Sequence, residues 1–321
     1  MNIMGGSTTD YGSSGDYNFS RGPSVTKRTA KDYADIDGRN YVAPTKGLPP
    51  INGKDIGTDS KLAAAIILDV TGSMMEIPKM FIEKMPTLYA EANAAIQGIN
   101  LKELEKGKKL DDLLKMAIVA VGDAGMDKYP FQVLDYCNGA NLVNGVLGIF
   151  PEGGGGGNLE ESYDLGAYYL LNHSDTPNVP KGAKPLLIIA GDEGFYKYVK
   201  APWVKKHIGD DLNGNLETKE VMKKVAKKFD TYILRPEISY DAGIYATIQK
   251  QWEEVFGPQR VLRMKDYSRL VDCIIGICGY ASDNFKISEE LLRRRQTTDQ
   301  VDEVLRVLHP LAAKSKGSGK K

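Results

Sequence analysis

The chain has 321 residues, of which 42% are hydrophobic and 26% charged. Those shares exclude collagen-like and wholly disordered chains and fit one large or two small domains. Lys+Arg and Asp+Glu both number 42, so nothing in the zero formal charge marks a dedicated nucleic-acid binder.

In chain order, residues 1–60 are rich in Gly, Ser, Asp and Tyr and lack hydrophobic periodicity, so they read as a flexible N-terminal arm. Ala63–Leu68 (AAAIIL) predicts a buried strand, Ile77–Ile99 a helix, Met116–Val121 a strand and Phe131–Leu134 a short third strand. Leu142–Phe150 reads as helix, followed by the pentaglycine Gly153–Gly157 and a helix over Glu160–Leu171. Strands Pro185–Ala190, Thr231–Leu234 and Arg260–Met264 then alternate with helices Thr218–Lys228 and Ala242–Phe256. Helices near Tyr267–Tyr280 and Ser288–Leu308 complete the pattern, and KSKGSGKK over 314–321 is a basic tail.

Apolar strands without polar alternation, separated by helices, predict a doubly wound, mainly parallel α/β sheet with helices on both faces. The expected domain runs over 61–282, with a C-terminal helical extension over 283–313. No basic segment leading into an apolar core opens the chain, and no run approaches the roughly 20 apolar residues of a membrane span. Cys137, Cys273 and Cys278 include no CxxC pair, and the three histidines are scattered, which argues against a disulfide framework, structural zinc or a His-based metal centre. A reducing, cytoplasmic setting is the expectation.

Ligands of such sheets bind beyond the carboxyl ends of the strands. There the sequence places Asp69-Val70-Thr71-Gly72-Ser73, with one carboxylate and two hydroxyls at alternate positions. Gly191-Asp192-Glu193-Gly194 follows a later strand and brings another carboxylate to the same edge. Between them the glycine run leads into Asn158, Glu160, Glu161 and Ser162. Hard oxygen donors of this kind suit magnesium, with manganese or calcium as the alternatives.

These residues resemble the metal-ion-dependent adhesion site of the von Willebrand factor A (vWA) family, whose first loop reads D-x-S-x-S. Asp69, Thr71 and Ser73 match it with Thr in place of the first Ser, and Asp192 matches the third-loop Asp. The second loop is similar to the branch with a Gly-rich run and D-x-P-E, which puts Asn158 in the Asp place, Glu160 in the Pro place and Glu161 in the ligand place. Asn158 and Ser162 are the alternatives to Glu161. The resemblance implies a vWA/Rossmann-like fold over about Lys61 to Ser282 and a Mg2+ site built from Asp69, Thr71, Ser73, Glu161 and Asp192. It also implies a protein partner that supplies an acidic side chain to the metal, within an intracellular multi-protein assembly, and no catalysis. Three carboxylates among the ligands would weaken the pull on an acidic partner.

The first loop also resembles the D-x-T-G-[ST] motif of haloacid-dehalogenase-like phosphohydrolases, which makes Asp69 a nucleophile and Asp192 a magnesium ligand in an enzymatic alternative. Against it, Tyr196 stands where that family's second acid belongs, and Lys184, before its strand, is the only nearby lysine for the phosphate. Asp123 reads as a turn or capping residue, and Asp210–Glu220 as a surface turn, since Gly209 falls where a calcium loop needs its first carboxylate.

Overall fold

The computed structural model describes residues 43–74, 76–111, 113–153, 159–237 and 242–315. Residues 1–42 of the expected arm, the tail over 316–321 and Asn158 lie outside the described residues. Six strands make the main sheet: β1 (Leu62–Asp69), β2 (Leu114–Val121), β3 (Phe131–Cys137), β4 (Leu186–Ala190), β5 (Asp230–Pro236) and β6 (Val261–Met264). Their spatial order is β3-β2-β1-β4-β5-β6, with every neighbouring pair parallel except β2 and β3. The order reverses direction at β1, which pairs with β2 on one side and β4 on the other.

The helices are α1 (Ile77–Glu83), α2 (Met85–Gln97), α3 (Leu101–Glu105), α4 (Gly139–Gly145), α5 (Tyr163–His173), α6 (Ala201–His207), α7 (Thr218–Lys228), α8 (Ala242–Phe256), α9 (Leu270–Ala281), α10 (Phe285–Arg295) and α11 (Thr298–Ser315). Successive side chains of a strand point to opposite faces, and both faces of β1 are buried. Ala64, Ile66 and Leu68 join a core with Met80, Leu88, Ile274 and Val304. Ala65 and Ile67 join a second core with Leu165, Val221, Ile248 and Trp252. The sheet is therefore flanked by helices on both sides. Among the described residues no helix is long and apolar enough to cross a membrane.

Several boundaries differ from expectation, each for a local reason. The helix expected over Ile77–Ile99 breaks at Lys84. Pro86 sits in the first turn of α2, where its missing N–H costs nothing, but it cannot continue a helix begun upstream. The helix expected over Ser288–Leu308 is two, separated at extended Gln296. A reciprocal cap starts the second: the Thr297 amide donates to Gln300 Oε1 at 3.0 Å, and the Gln300 amide to Thr297 Oγ1 at 3.5 Å. The stretch expected as a separate extension is a layer of the core, with Leu292, Val301, Val304 and Leu308 buried in it. A Cβ on Gly276 of α9 would collide with Leu308, so glycine permits the close approach of α11.

The far end of the expected arm is also docked. Ile56 is buried, Ile56–Gly57 pairs in parallel with Ser174–Asp175, and the Tyr169 hydroxyl donates to the Lys54 carbonyl at 2.7 Å. His173 bridges Asp55 (2.7 Å) and Asp210 (2.8 Å) while stacking on Tyr169. Burial lowers the His173 pKa, but hydrogen bonds to Asp210 and Asp55 outweigh it and the net shift is upward.

On the opposite side, Arg295 of α10 forms a two-pronged pair with Glu91 of α2 (2.7 Å each) and reaches Asp272 of α9 at 2.8 Å. Arg269 (3.2 Å) and the side-chain Nε2 of Gln296 (3.1 Å) also reach Asp272. Burial raises the Asp272 pKa, yet Arg295, Arg269 and Lys84 together hold it below the ordinary carboxylate value.

Two predictions test these contacts. Arg295→Met leaves two buried carboxylates short of their cation and is expected to cost about 3–5 kcal/mol in urea unfolding, with Arg295→Lys recovering only part because an ammonium lacks the fork. A raised folded-state pKa gives stability present below the unfolded value and lost as pH rises through the folded one. His173→Gln should therefore destabilise more at about pH 6 than at about pH 9.

Candidate functional site

The reversal of strand order brings the ends of β1 and β4 together. Leu68 pairs with Ala190, so the residues that follow on each strand emerge side by side. Asp69, the last residue of β1, is fully buried. Its Oδ1 accepts hydrogen bonds from the Thr71 amide (2.9 Å) and the Thr71 hydroxyl (2.6 Å). Taken alone, that is a turn closed by an Asp side chain. The arrangement goes further: Thr71 Oγ1 lies 3.1 Å from Ser73 Oγ, and Ser73 donates to Asp192 Oδ1 at 3.0 Å across 119 residues of sequence. The Tyr163 hydroxyl donates to the other oxygen of Asp69 through a short hydrogen bond. Tyr163, Asp69, Thr71, Ser73 and Asp192 thus form one continuous chain of oxygen atoms.

Glu161 is reached by a route different from the one expected. The helix expected to begin at Glu160 begins at Tyr163. Glu160–Glu161 instead pairs in parallel with Gly194–Phe195, because the Asp192 loop offers an open edge there. Glu161 is buried, and among the described residues its Oε2 has no hydrogen-bond partner. Burial first, then the charges of Asp69, Glu193, Asp123 and Asp127, push its pKa far above the ordinary carboxylate range. Asp69 is likewise pushed up, by burial and then by Asp192. Ser162 is occupied elsewhere: its hydroxyl accepts from the Ala124 amide at 2.9 Å, and its amide donates to the Gly122 carbonyl. Asp123 does hold a turn, accepting from the Gly125 amide at 2.7 Å, while its charge also reaches Glu161.

The third loop is anchored by groups that sequence reasoning missed. Arg235, at the end of β5 and fully buried, donates to the Asp192 carbonyl at 2.6 Å. From α8, the Trp252 indole donates to the Glu193 carbonyl at 2.9 Å, and Gln251 bonds both the amide (3.1 Å) and carbonyl (2.8 Å) of Phe195. Tyr163 had no motif to betray it. Arg235 had one faint signal, a cation directly after the run Tyr232-Ile233-Leu234.

Among the described residues, no group of three or more His, Cys, Asp or Glu gathers closely enough to hold a metal unaided. A cation here would need the Thr71 and Ser73 hydroxyls beside Asp69 and Asp192, and the donor set is wholly hard oxygen. The orphaned Oε2 of Glu161, buried beside that chain and within the field of Asp69, fits such a group. Lys184, in contrast, precedes β4 at the opposite edge of the sheet, where it donates to the Ala226 carbonyl at 2.9 Å.

No family model matches the sequence, and no curated protein matches it. Among solved structures, the chain is similar to the pilus adhesin SpaC from Lactobacillus rhamnosus GG in its open conformation. The identity is 12% and the TM-score 0.45, over 73% of this chain and 31% of that one. It is also similar to proximal thread matrix protein 1 from the mussel byssus, at 12% identity and a TM-score of 0.39, over 69% of this chain and 48% of that one. The chain spans about a third of the adhesin and about half of the matrix protein.

A Cβ on Gly191 would collide with the Tyr163 hydroxyl, so the bond to Asp69 depends on that glycine. Tyr163→Phe should lower unfolding free energy by about 1–3 kcal/mol, the range for a buried acceptor losing its donor. Gly191→Ala should cost more, because it displaces the ring as well; urea titration measures both.

Proposed function

We propose that this chain is a metal-dependent protein-interaction module of the vWA type, with a doubly wound sheet that carries a divalent-cation site at its strand ends. Asp69, Thr71, Ser73, Glu161 and Asp192 would hold the ion, with magnesium the first choice. When bound, the cation supplies a Lewis-acidic position that accepts an oxygen from a partner protein. The observation that carries this reading is the hydrogen bond from Ser73 to Asp192, which joins two loops remote in sequence into one oxygen-lined rim. The strand order supports the fold assignment, since it puts the order reversal at β1, beside that rim. The role of the chain's own residues is positional. Tyr163 fixes one carboxylate oxygen of Asp69, while Arg235, Trp252 and Gln251 fix the backbone on either side of Asp192. An intracellular assembly is the proposed setting, supported by three cysteines that are all free thiols.

The phosphohydrolase alternative is not adopted. Tyr196 occupies the place of the second acid, and Lys184 lies on the wrong edge of the sheet to meet a phosphate.

The test is a melting curve with magnesium and with chelator. Magnesium at a hundred times its Kd should stabilise the wild-type chain by about 2.7 kcal/mol. Asp69→Ala should abolish the response, Glu161→Ala should weaken it, and Ser162→Ala should leave it intact. A wild-type chain indifferent to magnesium, or robust phosphomonoester turnover lost in Asp69→Asn, would defeat the proposal.

A further inference from the structure

The pentaglycine Gly153–Gly157 supplies no side chain that could fix its own backbone, so the position of Glu161 has to be set from the two ends of the run. Both ends are clipped to the same neighbour, the turn between β2 and β3. At the far end, the Ala124 amide donates to the Ser162 hydroxyl at 2.9 Å, and the Ser162 amide donates to the Gly122 carbonyl at 3.1 Å. At the near end the clip is Glu152. Its carboxylate accepts the Lys128 amide on Oε2 at 3.2 Å and the Tyr129 amide on Oε1 through a short hydrogen bond. A Cβ on Gly122 would collide with Asp127 and touch Glu152, so the turn closes against the clip because that residue is glycine.

Glu152 also reaches the first loop. Its own amide donates to the Val70 carbonyl at 2.8 Å. That carbonyl belongs to the peptide unit whose N–H, on Thr71, donates to Asp69 Oδ1 at 2.9 Å. One residue therefore grips the peptide that orients Asp69 and, through its side chain, the near stem of the glycine run. Gln132, buried, braces the same stem from behind. The Phe150 amide donates to its Oε1 at 2.8 Å, and its Nε2 donates to the carbonyls of Phe150 (2.8 Å) and Tyr129 (3.2 Å). A carboxylate makes stronger hydrogen bonds to amides than a neutral acceptor does, which suits Glu152 to hold backbone. Both of its oxygens are engaged by that backbone, which leaves the ion to the five candidate ligands.

We propose that Glu152 is a positioning residue of the cation site: it keeps the first loop and the near stem of the second at one spacing, so that Asp69, Thr71 and Ser73 face a common point with Glu161. This rests on the metal reading and gives Glu152 a role outside the ligand set.

The experiment compares the full chain with Glu152→Ala, Glu152→Gln and Tyr169→Phe, the last removing one hydrogen bond at the remote Lys54 contact. Magnesium affinity measured by calorimetry should fall about tenfold or more in Glu152→Ala, the scale for losing a group that orients metal ligands. Glu152→Gln keeps an oxygen for one amide and should fall between that variant and the wild type; it carries the test if the alanine variant does not fold. Tyr169→Phe should bind as the wild type does. In chelator, hydrogen-exchange mass spectrometry should show the peptide over Asp69–Ser73 exchanging about tenfold faster in Glu152→Ala, with the β4 peptide Leu186–Ala190 unchanged. Unaltered affinity in both Glu152 variants, an equal loss in Tyr169→Phe, or faster exchange spread evenly over both peptides would overturn the positioning role and leave the metal reading standing. A wild-type chain that takes up no magnesium would defeat the metal reading and this inference with it.

Discussion

The parallel pairing of β1 with β4 governs the rim. With Leu68 beside Ala190, the two strands deliver Asp69 and, two residues past its strand, Asp192 to one point. The Ser73 hydroxyl then closes the gap between them. Side chains alternate along a strand, so a shift of one residue in this pairing would send Asp69 into the opposite face. The apolar alternation of Ala64, Ile66 and Leu68 against Ala65 and Ile67 prevents such a slip, because both sets are already committed to separate cores. The precision of the rim is thus inherited from packing on both sides of the sheet.

The protein buries acids in two different ways. On the helical side, Asp272 and Glu91 face arginines whose forks match carboxylate geometry, and the charge is balanced within the fold. At the rim, the hydrogen bonds that reach Asp69 come from an amide and two hydroxyls, all neutral donors. Neutral donors satisfy lone pairs but supply no counter-charge, so burial pushes the carboxyl of Asp69 toward its protonated form, and that of Glu161 further still. Among the described residues the Oε2 of Glu161 has no hydrogen-bond partner. The contrast within one molecule is the physical case for treating the first group as structure and the second as a place where something binds.

Much of this was legible in the sequence. The strands announced themselves as apolar runs, and α7 and α8 as periodic stretches, because burial on fixed faces leaves a pattern that local reading can detect. Asp69, Thr71, Ser73 and Asp192 were legible because strand ends are where a loop can aim side chains without disturbing the core. Other features depend on partners far away in sequence. Glu161 lies on a short ribbon rather than a helix end because Gly194–Phe195 offers it an edge, and no window around residue 161 contains that information. Arg235, Trp252 and Gln251 act on the third loop from β5 and α8, and Tyr163 reaches back across the β1 turn. Two misses were avoidable: Pro86 marks a helix start, and Thr297 with Gln300 spells a capping pair, both readable from local chemistry alone.

The anchoring of α10 and α11 has a consequence for the order of assembly. Glu91 precedes by some two hundred positions the arginine whose fork it accepts. A chain that reached only as far as α9 would hold α2 without that clamp, and the face of α9 that Leu308 covers, with Gly276 at its closest point, would stay open to water. The last two helices therefore act as a lock added to a sheet and helix layer whose strands are already in place.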